Sequence, residues 1–93
     1  MPRLLIRHRE ENIAYLYKEE FTDLDFDSNS VTDLSEALYL LSIDSYDLVV
    51  LGIEDYTKKG HGTIAKGLRT YRTITKKYPE IPVITISASV VLQ

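Results

Sequence analysis

Tyr46-Asp47-Leu48-Val49-Val50-Leu51-Gly52 decides how this chain folds. Four apolar residues in an unbroken run, fenced by Asp47 on one side and Gly52 on the other, are too few for a helix. A run of that length is the mark of a strand buried on both faces, the situation of a strand in a parallel sheet. Leu4-Leu5-Ile6, upstream, has the same character, and so has Val83-Ile84-Thr85-Ile86, downstream. What separates these runs then decides the architecture.

Between them the period changes to that of a helix. From Glu10 to Phe21, Ile13, Leu16, Tyr17 and Phe21 recur at helical spacing with glutamates elsewhere. Asp33 followed by Glu36 has the form of a capping box, and Leu34, Ala37, Leu38 and Leu41 continue it as one stripe. Ile64, Leu68, Tyr71, Thr75 and Tyr78 make a third stripe, interrupted by Gly67 and stopped by Pro79 and Pro82. The stretch Thr22 to Asp27 alternates, Leu24 and Phe26 against aspartates, and predicts an edge strand with one wet face. The resulting order, strand-helix-strand-helix-strand-helix-strand, argues for an α/β domain with a parallel sheet and helices on both faces. A sheet order of 2-1-3-4 puts the ends of the first and third strands at a topological switch point, where such folds place their sites.

Composition narrows the function classes. With 93 residues, 44% hydrophobic and 27% charged, the chain is one small globular domain, 1–93. No apolar run approaches the roughly 20 residues that cross a bilayer, and no secretory signal is visible after Met1, so a cytoplasmic location is expected. The absence of cysteine removes disulfides, thiolate chemistry and sulfur metal sites. The net charge of −3 conceals a polarity along the chain. Glu10 to Asp55 holds thirteen acids and one base, Lys18. Tyr56 to Pro79 holds seven bases (Lys58, Lys59, Lys66, Arg69, Arg72, Lys76, Lys77) and no acid. That asymmetry favours an oriented encounter with a partner or head-to-tail contact with another copy, against the plainer reading of a solvated basic helix. Nucleic acid is an unfavoured partner, given a pI near 5.3 and no binding motif.

Several segments together now resemble the receiver domains of two-component response regulators. They are Leu4-Leu5-Ile6, Ser35-Glu36-Ala37-Leu38-Tyr39-Leu40-Leu41, Tyr46 to Leu51, and Tyr78-Pro79-Glu80-Ile81-Pro82-Val83-Ile84. The resemblance implies a flavodoxin-like three-layer sandwich, lacking the family's fifth strand and last helix. It also implies which positions to inspect. Receivers hold magnesium with an acidic pair after the first strand and phosphorylate an aspartate ending the third. A Ser or Thr follows the fourth strand, and a lysine follows the fifth. Carried over, the acidic pair falls on His8 and Arg9, the phosphoacceptor on Gly52, and the hydroxyl on Ser87, while the lysine has no counterpart before Gln93.

These departures point one way. Magnesium wants oxygen ligands in near-octahedral array, which His8 and Arg9 do not offer, and Gly52 has no carboxylate to form an acyl phosphate. We therefore expect a pseudo-receiver without enzymatic activity, cofactor or metal, its pocket of His8, Arg9, Gly52 and Ser87 vestigial. Glu54 and Asp55 are expected to be exposed loop carboxylates rather than substitute acceptors. Three further expectations follow. His8, Arg9, Lys58, Lys59 and His61 either converge into a basic pocket that binds an anion or nucleotide, or His8 and Arg9 simply form salt bridges with Glu11, Glu54 or Asp55. The segment from Asp55 to Lys66 is either a lengthened loop or an extension of the third helix. Val83, Ile84 and Ile86, with Val90, Val91 and Leu92 beyond, form an apolar sheet edge that invites self-association.

Overall fold

In a computed structural model of the chain, which describes residues 1–57 and 59–87, the buried runs become the strands of one parallel sheet. The elements in order are β1 (Arg3–Arg7), α1 (Glu11–Asp23), β2 (Asp27–Val31), α2 (Leu34–Ile43), β3 (Leu48–Gly52), β4 (Asp55–Tyr56), β5 (Gly62–Thr63), α3 (Ala65–Lys77) and β6 (Val83–Ile86). The four-stranded sheet runs β2-β1-β3-β6, which is the 2-1-3-4 order with a small hairpin inserted before the last helix. Leu4 pairs with Leu48, Ile6 with Val50, and Gly52 with Ile86. This register brings the carboxyl ends of β1, β3 and β6 to one rim.

Alternation along the strands divides the core in two. Leu5, Val49 and Leu51 face Leu34, Ala37 and Leu41 of α2 and Ile74 of α3. Leu4, Ile6 and Val50 face the other way, against Tyr17 and Phe21 of α1 and Phe26. Each fully buried Leu, Ile or Val contributes about 1.5–3 kcal/mol relative to exposure. Helices therefore cover both faces, α1 one and α2 with α3 the other, which is the three-layer receiver-like arrangement.

Three expectations need correcting in detail. The second strand is not Thr22 to Asp27 but Asp27–Val31, the polar run Asp-Ser-Asn-Ser-Val. Helix α1 continues to Asp23 and ends in a Schellman turn, in which the Phe26 N–H donates to the Phe21 carbonyl and the Asp25 N–H to that of Thr22, both at 3.0 Å. Asp25 adopts the left-handed φ of 67° that this turn requires, and the Phe26 ring meets Phe21 edge-on at 5.5 Å. What reads as strand alternation is a helix cap with its apolar clasp.

Leu16 is 58% exposed rather than part of the α1 stripe, because Ala14, Tyr17 and Phe21 turn inward instead. On α3 the buried line is Gly67, Thr70 and Ile74, and Leu68 lies at the surface. Gly67 does not interrupt the helix. A Cβ there would overlap the carbonyl oxygen and Cα of Ile53, so the missing side chain is what lets α3 lie against the end of β3.

Between Asp55 and Lys66 the chain makes neither a plain loop nor two extra helical turns. Asp55 pairs with Thr63 and Tyr56 with Gly62 in an antiparallel hairpin, β4–β5. Gly60, at φ 82°, occupies a left-handed position near its tip.

Candidate functional site

The rim where β1, β3 and β6 end holds a cleft of ≈ 280 Å³ lined by His8, Arg9, Glu10, Tyr17, Gly52, Glu54, Ile86 and Ser87. Parallel strands ending together, with loops diverging from them, produce such a crevice at the switch between β1 and β3. Tyr17 and Glu10 come from α1 and its N-cap, and the other side chains in it are placed by the ends of β1, β3 and β6.

His8 follows β1, its N–H donating to the Val31 carbonyl at 3.1 Å. Its Nδ1 accepts the Glu10 N–H at 3.1 Å, which assigns the ring's proton to Nε2 in the neutral form. Burial holds the imidazole below its ordinary value, with the Arg7 and Arg9 charges acting the same way and Glu10 opposing them. Arg9 lays its guanidinium 3.9 Å from the centre of the Tyr56 ring, the hairpin's aromatic, in a cation–π contact. Among the described residues its Nη1 is buried without a hydrogen-bond partner, and so is the Oγ of Ser87 across the cleft.

Gly52 closes β3 with no side chain to offer. A Cβ built there would stand 2.9 Å from the Arg7 carbonyl oxygen and 3.4 Å from the His8 Cα, so the neighbouring backbone leaves little room for a side chain at this position.

The residue that organises this rim is Arg7, which the sequence reading passed over. Its side chain is only 2% exposed. Nε donates to the Thr32 carbonyl at 2.8 Å, and Nη1 donates to the carbonyls of Gly52 and Glu54 at 2.8 and 2.9 Å. Nη2 lies 3.4 Å from an Asp55 carboxylate oxygen. Burial pushes the guanidinium's pKa down, and Asp55 and Asp33 oppose that shift. One cation thereby ties together the loops leaving β2 and β3 and the start of the hairpin. The available signal was an arginine directly continuing the apolar run Leu4-Leu5-Ile6, where a strand bound for the interior has no use for an unpaired charge.

The proposed anion set does not assemble as a group. His8 and Arg9 line the cleft, but Lys59 and His61 sit exposed on the hairpin and are not among its walls. Lys58 lies outside the described residues. Asp55 does make an ion pair, with Arg7 rather than with His8 or Arg9. On β6, the edge strand among the described residues, Ile84 is 51% exposed while Val83 and Ile86 are half-buried. Val90, Val91 and Leu92 lie outside the described residues.

The residues at this rim do not suit a magnesium ion. Glu10 and Glu54 bring carboxylates, but a guanidinium with an unsatisfied donor occupies the same cleft. No group of three or more potential ligands gathers among the described residues. A hard cation needing several oxygens would have to displace Arg9.

Neither a protein-family model nor a curated protein sequence matches the chain. Solved structures do. The chain is similar to the response regulator protein TrrA from Thermotoga maritima, solved in complex with Mg(2+)-BeF, at a TM-score of 0.80 and 31% identity over 95% of this chain and 70% of that one. TrrA in complex with the histidine kinase ThkA matches at a TM-score of 0.74 over the same shares. The receiver domain of a Francisella response regulator matches at 0.76, with 25% identity, covering 95% of this chain and 67% of that one.

Proposed function

The chain belongs to the response regulator receiver family, and on that premise we propose that it serves two-component signalling as a pseudo-receiver, binding protein partners without being phosphorylated. The observation that carries this reading is Gly52 at the end of β3, with the Arg7 carbonyl 2.9 Å from where a Cβ would be. An acyl phosphate needs a carboxylate at that point. Arg9, whose Nη1 is buried without a partner among the described residues, follows β1 at the position that the resemblance gives to a metal-holding acid of the family. The protein on this reading is no enzyme, needs no metal or cofactor, and works in the cytoplasm. No helix among the described residues is long and apolar enough to cross a membrane.

Incubation with acetyl phosphate and magnesium, followed by intact-mass and peptide spectra, tests the proposal. No phosphoryl adduct is expected. An adduct on Glu54 or Asp55 would overturn it.

The finer part of the proposal is self-association. Among the described residues β6 pairs on one side only, with β3, and Ile84 stands exposed on it. A second copy adding its own β6 would satisfy both. The kinase bound to TrrA illustrates the kind of signalling protein such a domain meets. A second reading, a small oxyanion held in the cleft, draws support from the Arg9 Nη1 and Ser87 Oγ atoms left without partners. Titration with phosphate would then raise the melting temperature in the wild type and leave Arg9→Ala unmoved.

A further inference from the structure

The charge polarity of the sequence becomes, in the fold, a polarity across the molecule. Helices α1 and α3 lie on opposite faces of the sheet, since Tyr17 and Phe21 pack with Leu4 and Ile6 while Ile74 packs with Leu5 and Val49. α1 carries Glu11, Glu19, Glu20 and Asp23 against Lys18 alone, and all four acids are exposed. α3 carries Lys66, Arg69, Arg72, Lys76 and Lys77 with no acid, and all five are exposed. Among the described residues no ion pair engages the α3 cations, and Lys66 lies close enough to Asp33 to help lower its pKa.

The two helices also match in shape. Each has 13 residues, about 20 Å of length at 1.5 Å per residue. Each sets apolar surface among its charges: Tyr15 and Leu16, 57% and 58% exposed, on α1, and Leu68 on α3. On α1, Asn12, Tyr15, Leu16, Glu19 and Asp23 follow one another at helical spacing on the outward side. Burial does not account for an outward leucine and tyrosine there, and the charges around them are opposite in sign to those around Leu68.

We propose that these faces dock on each other between copies, the acidic outer face of α1 receiving the basic outer face of α3 from a second copy of this chain. Because the two patches differ and lie on opposite sides of the sheet, the contact is head-to-tail. Such a contact leaves a free patch at each end and extends beyond a dimer. Attraction between rim charges speeds encounter and fixes orientation, and the apolar centre supplies the burial that holds the contact. This is a different surface from the β6 edge.

The test is a charge swap followed by analytical ultracentrifugation at low ionic strength, where the Debye length is about 30 Å at 0.01 M. The wild type is expected to gain average mass with concentration, without levelling at a dimer, and to revert to smaller species in about 1 M salt. Glu19→Lys/Glu20→Lys/Asp23→Lys makes both faces basic, and Lys66→Glu/Arg69→Glu/Arg72→Glu makes both acidic. Each variant alone should lose the association by about tenfold or more. Mixing the two, or placing all six changes in one chain, should restore it. Circular dichroism checks that the exposed changes leave the fold intact. Repeating the series with Ile84→Lys removes the sheet edge, so loss of edge pairing cannot be mistaken for loss of this contact. A wild type that stays monomeric at low salt, single swaps without effect, or a mixture that fails to associate would each overturn the proposal. So would a monomer that pellets through α3 with phosphatidylserine vesicles, because α3 would then be a membrane-facing helix.

Discussion

Single residues carry the decisive information in this chain, and two glycines do so in opposite ways. Gly52 is legible in the sequence because it breaks a recognisable pattern at the end of an apolar strand. Gly67 is not, since on a helical stripe it reads as a defect worth about 1 kcal/mol against alanine. Packing reverses that sign. A Cβ at 67 would overlap the Ile53 backbone, which cannot move without disturbing the end of β3. Gly67→Ala should therefore destabilise the domain by about 1–3 kcal/mol, the range for forced overpacking, when urea unfolding of the two proteins is compared. A neutral or stabilising result would mean α3 does not lie as close to β3 as described. His8 gives a pH dependence of known sign. Burial holds its pKa below the ordinary value, so in the window between the two values the unfolded chain binds a proton that the folded chain refuses. The stability it provides is complete above pH 6.5 and is lost as pH falls from there through the lower folded value. Urea midpoints measured from pH 7.5 downward should fall across this window in the wild type, and less so in His8→Asn. Asp33 and Asp44, lowered by hydrogen bonds from Ser35 and Arg3, act in the same direction but only in the acidic range below their ordinary 3.8.

Elements were legible wherever burial left a clear period and illegible where one local interaction took its place. β1, β3, β6 and α2 follow from unbroken apolar runs and helical stripes, because both reflect how many faces of an element are buried, whereas the 2-1-3-4 order was a fold-level expectation that the sheet matches. β2 does not follow, since Asp-Ser-Asn-Ser-Val lies at the sheet's edge and owes its place to pairing with β1. The alternation at Leu24 and Phe26 then drew the strand four to five residues early. Asp25 hid the helix end because glycine is the usual residue at a left-handed cap. The same reasoning predicts that Asp25→Gly stabilises the protein by roughly 0.5–1 kcal/mol, since glycine takes φ 67° without strain. Thermal unfolding checks it, and a loss of stability would show that the Asp25 side chain contributes more than its backbone costs. At the site the same division holds. His8, Arg9, Gly52 and Ser87 came from the resemblance to receivers, carried over position by position, and the fold brings all four to one cleft. Arg7 was missed, because its hydrogen bonds reach the carbonyls of Thr32, Gly52 and Glu54, partners 25 to 47 residues away.

At the scale of the whole molecule the open question is which surface meets a second chain, and ionic strength separates the two on offer. Pairing at the β6 edge would be held by backbone hydrogen bonds and apolar contact around Ile84, neither of which salt screens appreciably. The α1 and α3 faces attract through exposed charges, whose reach shrinks from about 30 Å at 0.01 M to about 3 Å at 1 M. Edge pairing uses the same strand on both copies and closes on itself as a dimer, whereas stacking of unlike faces does not close. A chain using both would form extended species at low salt that fall back to dimers, not monomers, at high salt. Ile84→Lys places a charge on the exposed edge in the way natural sheets protect theirs. It should convert the high-salt dimer to a monomer while the low-salt growth persists. Light scattering coupled to size exclusion at both salt levels reads this directly, and hydrogen exchange on the β6 amides should quicken in the variant. A high-salt monomer in the wild type would remove the edge from the account and leave the charged faces as the sole route to assembly.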